Sequence, residues 1–289
     1  MPNSQEDKEE KVSSRIFFWE FVLFSSTIFL GIVTAFRMSS VFRIQKINVS
    51  PIEPWQFILY FIIATLVVLF LAFFIKSSSV KGKIFKILFV FSVFWGGLLV
   101  LDIWLGDILA LFLIIVLIYF WLKRPNVLVH NLCMVFAIAG VGAIAGLRIQ
   151  PEIMVILLVI FSIYDLIAVY KTKHMQKMAK EMIKHGAVLA LIIPPKREDF
   201  SGKIKEVKAG GKFLVLGGGD IAFPLLLSVS LVPQGIIYAL IVAIFSLVGL
   251  FVSFIIFIKQ KERKPIPALP PIALFSILGF LFTKITIFW

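Results

Sequence analysis

The chain has 289 residues, 60% of them hydrophobic and only 16% charged, with 31 phenylalanines and a formal net charge of +13. Soluble domains run nearer half apolar and about a quarter charged, so this composition does not supply the surface of a soluble fold and indicates a polytopic membrane protein. The single cysteine, Cys133, excludes an intramolecular disulfide and a cysteine metal site, and three scattered histidines argue against a zinc enzyme, so no metal or cofactor is expected.

Residues 1–15, MPNSQEDKEEKVSSR, are polar and of mixed charge. They make the wrong start for a secretory signal and are expected to form a disordered tail. A membrane-crossing helix needs about 20 mostly apolar residues. The first such run is 16–36, with Glu20 close enough to its start to reach the interface. Next come 55–75, 84–101 and 105–122, the last two separated only by a tight turn around Asp102 and Asp107. Runs 127–147 and 152–170 complete a six-helix part over 16–170.

Residues 171–212 form the one long connection. A basic stretch with helical spacing (KTKHMQKMAKEMIKH) is followed by a short apolar piece (GAVLALIIPP) and a charged, glycine-containing segment. The apolar piece is too short to span; it lies at the interface, re-enters the membrane or runs as an extended strand, and a surface-lying amphipathic connection is the plainest reading. A three-helix part over 213–289 follows, with spans 213–233, 236–258 and 267–288, the last broken near its start by Pro267, Pro270 and Pro271. The expected fold is an all-α membrane protein of nine transmembrane helices.

Charge orients these spans. With the N-terminus in the cytoplasm, 24 of the 29 Lys and Arg residues fall on the cytoplasmic side, and Arg37, Arg43, Lys46, Arg148 and Lys284 fall outside. This asymmetry places the N-terminus inside and the C-terminus outside. It also accounts for the basic balance without nucleic acid.

Of sixteen acidic residues, two sit well inside apolar runs: Asp165 in FSIYDLIAVY and Asp220 in LGGGDIAFP. A carboxylate there costs roughly 2.5–3.5 kcal/mol on insertion scales and usually faces a protein interior where it has a function. Asp165 lies roughly 8 Å from the cytoplasmic end of its span and Asp220 roughly 10 Å from the start of the next, at 1.5 Å per residue. Consecutive antiparallel helices therefore bring both to one depth, as a pair. Two close carboxylates do not both ionise readily and so share a proton. The ionised member takes a proton from water while the protonated one polarises an amide carbonyl.

Gly217, Gly218 and Gly219 remove side chains beside Asp220, which suits close helix approach or an extended backbone, and equally suits a plain packing face. The prolines of KPIPALPPIAL open the ninth span on the same side, and unwound backbone at membrane depth is tolerated only where it is buried or lines a cavity.

Tyr164-Asp165, Gly217-Gly218-Gly219-Asp220 and Pro267-Ala268-Leu269 resemble the three signatures of the presenilin and signal peptide peptidase family of intramembrane aspartyl proteases. Their order and their places on the sixth, seventh and ninth spans match as well. The resemblance covers about 152–289 by motif and 1–151 by topology alone, and the compact size and short loops are similar to those of an archaeal homologue. Gly218 departs from the pattern, since relatives often carry a larger apolar residue there, and this bears on substrate preference. The resemblance implies Asp165 and Asp220 as the catalytic dyad. It implies that Tyr164, the three glycines and Pro267, Ala268 and Leu269 shape the site, and that the substrates are single-span helices with their N-terminus outside. The implied location is the plasma membrane of a prokaryote. The implied partners are the bilayer and transmembrane-helix substrates; a homo-oligomer is compatible with all of this.

A helical substrate hides its peptide bonds, so cleavage requires local unwinding and new backbone partners. Residues 187–193 (AVLALII) and 212–216 (KFLVL) are expected to offer strand edges for that purpose. Two other readings stay open on the residues alone. Paired intramembrane aspartates also serve cation- or proton-coupled transporters and channels, although no inverted repeat is evident. A prepilin-type peptidase also uses a Gly-x-Gly-Asp motif, against which nine spans and the Pro-Ala-Leu element argue.

Overall fold

The first helix runs well beyond its apolar stretch. In the computed structural model, which describes residues 4–46, 52–53, 55–56, 59–60, 63, 78–172, 181–207, 213–260 and 265–287, α1 spans Ser4–Ile44. Most of the stretch expected to be disordered is thus helical. SQEDKEEK consists largely of good helix formers, and extending an existing helix is far easier than nucleating one. The second expected span, 55–75, lies largely outside the described residues.

Helices α2 (Ser78–Leu105) and α3 (Asp107–Lys123) form a hairpin about Gly106. Its φ of 78° lies in the left-handed region that favours glycine, and its N–H closes on the Asp102 carbonyl at 2.9 Å. Helix α4 (Val127–Gly146) is capped by Asn126, whose side chain accepts from the Val129 N–H at 2.8 Å. It is the central helix: 67% of its apolar stretch is buried, against 28–39% in the other four long apolar helices. Helix α5 (Pro151–Ile167) ends in a wide π turn, Ala168–Thr172.

The seventh expected span divides in two. Residues 214–217 form strand β2 (Leu214–Gly217), and helix α6 occupies only Gly218–Ser230. Strand β2 pairs antiparallel with β1 (Ala190–Ile193), with Ala190 opposite Gly217 and Ile193 opposite Leu214. Among the described residues the fold is therefore mostly helical with one two-stranded sheet rather than all-α, and the two expected edges pair with each other. Each strand is four residues long, β1 stopped by Pro194 and β2 by the glycines that begin at Gly217, and runs this short do not nucleate a helix. A lone two-stranded ribbon is marginal in water; here β1 packs against α1, α4 and α6.

Helix α7 runs Ile236–Ile258, as the hydropathy indicates, and α8 runs Leu269–Ile287 after an extended stretch through Pro267 and Ala268. Five described helices are long and apolar enough to cross a membrane, and α6 and α8 carry shorter apolar stretches. One core joins α1, α2, α4, α6 and α7; a second, around Met154, Leu158, Leu227, Val242 and Leu269, joins α5 to α6, α7 and α8.

Candidate active site

Asp165 lies near the C-terminal end of α5 and Asp220 in the first turn of α6. One helical turn before Asp165 stands Phe161, and three residues after Asp220 stands Phe223, each on the face of its aspartate. The two rings stack at 4.3 Å with planes 24° apart, so both aspartate-bearing faces turn toward one another. The carboxylates are near enough to interact electrostatically. Asp165 is buried and Asp220 half-buried.

Backbone, not a cation, meets Asp165. The Leu269 N–H donates to its Oδ2 at 3.3 Å. The first N–H groups of a helix have no partner within it, and Pro270 and Pro271 carry none. Leu269 is thus the one donor among the first three residues of α8, at the end where a negative charge is favoured. Pro267 and Leu269 are buried and Ala268 half-buried, which fixes that donor in place. Among the described residues neither aspartate has an ion-pair partner.

The three glycines are not equivalent. A Cβ on Gly217 would stand 3.0 Å from Asp220 Oδ2. The Gly218 N–H donates to the Leu189 carbonyl at 3.1 Å, and a Cβ there would stand 3.0 Å from that same oxygen and 3.3 Å from Met134 Cε. At Gly219 the nearest contact would be an ordinary 3.5 Å, to Phe223. Beside Gly218 and Gly219 opens an apolar cavity of about 280 Å³, reached also by Phe89, Met134, Leu189 and Ala222.

Tyr164 stands apart from this arrangement, with 56% of its surface exposed. Successive helical residues point about 100° apart, so burying Asp165 turns its neighbour outward. Glu20 departs the other way. It is 5% exposed, its Oε2 has no hydrogen-bond partner among the described residues, and it interacts electrostatically with Asp220. The signal was available in the sequence: Ile16, Glu20, Phe24, Ile28 and Ile32 form one i, i+4 row, and all are buried. His130 and Asn131 in VLVHNLCMV were also passed over; both are buried against β1. Among the described residues no three His, Cys, Asp or Glu side chains are placed to hold a metal ion.

The family model described as "Signal-peptide peptidase, presenilin aspartyl protease" matches residues 21–288. Two solved structures of a presenilin family intramembrane aspartate protease are similar to the chain. One, in space group C222, has 24% identity and a TM-score of 0.63, covering 93% of this chain and 99% of that one. The other, in space group P2, has 22% identity and a TM-score of 0.56, covering 91% and 96%. At these identities the likeness is one of fold. No curated protein matches the chain.

Proposed function

The chain belongs to the signal-peptide peptidase and presenilin family of aspartyl proteases, and from that premise we propose that Asp165 and Asp220 are the dyad with which it hydrolyses peptide bonds inside single-span transmembrane helices. Membership makes it an intramembrane aspartyl protease. The transporter reading finds no support in the match. The observation that carries the dyad is the stacked Phe161–Phe223 pair, which turns the two carboxylate faces toward each other.

In this reading one aspartate is ionised and the other protonated. The carboxylate takes a proton from water, whose oxygen bonds to the scissile carbonyl carbon, while the carboxyl gives its proton to the carbonyl oxygen. Collapse of the resulting gem-diol breaks the C–N bond as a proton passes to the leaving nitrogen. A carboxylic acid and an amine leave, and the dyad again holds one proton. The Leu269 amide holds Asp165 in place throughout. Gly217 leaves room for the Asp220 carboxylate itself, and Gly218 for the close approach of the Leu189 carbonyl that leads into β1. The unwound substrate segment adds as a further strand to the β1–β2 sheet.

The proposed topology has nine spans, the N-terminus in the cytoplasm and the C-terminus outside, in the plasma membrane of a prokaryote, and rests on the charge asymmetry. Labelling engineered cysteines at residues 5 and 286 from either side of sealed vesicles tests it; labelling of residue 5 from outside rejects it. The activity test uses purified wild type, Asp165→Ala and Asp220→Ala with a single-span helical substrate in detergent. Wild type cuts and neither variant does, and a transition-state mimic of aspartic proteases stops wild type. An uncut substrate with wild type, or equal cutting by a variant, rejects the dyad.

A further inference from the structure

Neighbouring residues of an antiparallel strand turn their backbone groups alternately toward the partner strand and away from it. In β1 the residue turned away is identified by its contacts. Asn131 Nδ2 donates to the Ile192 carbonyl at 2.7 Å, and the Ile192 N–H donates to Asn131 Oδ1 at 2.9 Å. A single side-chain amide thus takes both backbone groups that a further strand would use. Two residues earlier on the same edge, His130 Nε2 meets the Ala190 carbonyl at 3.1 Å. The Trp121 Nε1–H donates to His130 Nδ1 at 3.3 Å, so the Nδ1 accepts and the ring's proton sits on Nε2, facing Ala190. Phe89 stacks on the imidazole at 5.0 Å and on Trp121 at 4.3 Å. His130 and Asn131 are 0% and 1% exposed.

The residues opposite Ala190 and Ile192 are Gly217 and Val215. By the same alternation their backbone groups turn to the other side of the sheet, away from α4. That edge runs directly into Gly218 and Asp220. Neither His130 nor Asn131 is needed by the carboxylate chemistry, yet burying two polar side chains in an apolar helix is costly unless they are fully bonded.

We propose that His130 and Asn131 make the hairpin one-sided: they close the outer edge of β1 and confine an incoming extended substrate segment to the outer edge of β2. They are positioning residues, acting on the place of cleavage through β1. The proposal rests on strand addition of the substrate and assigns it an edge and a register. A sheet with one open edge and a fixed partner holds register, whereas a one-residue slip moves every side chain to the other face and presents a different peptide bond to the dyad.

Disulfide trapping tests the edge in protein with Asn131 intact. In a Cys133→Ala, Asp220→Ala background, Val215→Cys and Ile192→Cys are each mixed with a substrate carrying one cysteine beside its cleavage position. Directly opposed residues on adjacent strands have Cβ atoms about 5 Å apart, so Val215→Cys cross-links and Ile192→Cys does not. Trapping at Ile192 equal to or above that at Val215, or trapping at neither, overturns the proposal. The second arm reads register in the active full chain by mass spectrometry of both product ends. Asn131→Leu raises KM roughly threefold to tenfold, as loss of one net hydrogen bond does, and spreads cleavage over adjacent peptide bonds. Asn131→Asp, which keeps the acceptor for the Ile192 N–H, lies between. A folded Asn131→Leu enzyme with wild-type KM and a single product pair overturns the register claim. Failure of the protease reading is separate, since wild type then leaves the substrate uncut.

Discussion

Gly218 is the position at which the approach to β1 is bonded to the helix that carries Asp220, and replacing it tests how the sheet and the proposed dyad are coupled. Its N–H donates to the Leu189 carbonyl at 3.1 Å, and a new Cβ would meet that oxygen at 3.0 Å and Met134 Cε at 3.3 Å. Gly218 is the first residue of α6, so alanine gains less than the roughly 1 kcal/mol it gains in a helix interior, while crowding a packed site costs about 1–3 kcal/mol. The net cost is small, so Gly218→Ala lowers the melting temperature by no more than a few degrees. Activity is more sensitive than stability. The Leu189 carbonyl is backbone, so relief comes from moving β1 against α6, two residues from Asp220. A displacement of about 1 Å near a reacting group costs on the order of a hundredfold in rate, and the few tenths needed here correspond to a several-fold loss of kcat. Gly218→Leu, with no room for its side chain in the present packing, loses far more and shifts the cleavage position. The assay is cleavage of a single-span helical substrate in detergent, with product ends read by mass spectrometry beside a thermal melt. A Gly218→Leu enzyme that cuts at wild-type rate and position refutes the coupling.

Phe161→Ala removes the stack on Phe223; it lowers stability by about 1 kcal/mol or more and reduces kcat, whereas an unchanged kcat in the folded variant separates the stack from the dyad. Glu20→Gln keeps the side-chain shape but removes a buried acid that interacts with Asp220; it moves the pH–rate profile of cleavage while leaving the melt unchanged, and an unmoved profile shows that Glu20 acts only in packing. The Lys284–Glu152 pair, 2.9 Å apart and solvent-exposed on both sides, is a control: Lys284→Ala changes stability by less than about 1 kcal/mol and leaves cleavage unaltered, as a melt and a rate measurement check.

The sequence made some features legible and hid others for physical reasons. Asp165 and Asp220 stood out because a charge within an apolar run requires an explanation, and the bounds of α7 were legible because its 23 residues carry no charge and are strongly apolar. FLVL before the glycines was harder. Four apolar residues fit the top of a helix and a strand equally well by periodicity, and the choice was made by ALII, more than 20 residues away in the chain. Tyr164 adjoins Asp165 in the chain but is turned outward, because neighbours on a helix face different ways. Glu20 looked interfacial by its distance from the helix start, although its i, i+4 row was apolar throughout. His130 and Asn131 were a visible polar pair in an apolar span, but their partners lie 60 and 61 residues away, where only the folded chain brings them.

The claim that Asp165 and Asp220 work as one unit is tested most directly by single-turnover cleavage with Asp165→Asn, Asp220→Asn and the double variant. Residues that act together are grossly non-additive. Each single variant therefore loses as much rate as the double one, and all three stay folded with substrate affinity near wild type. Losses that add, or substantial cleavage by either single variant, contradict the dyad.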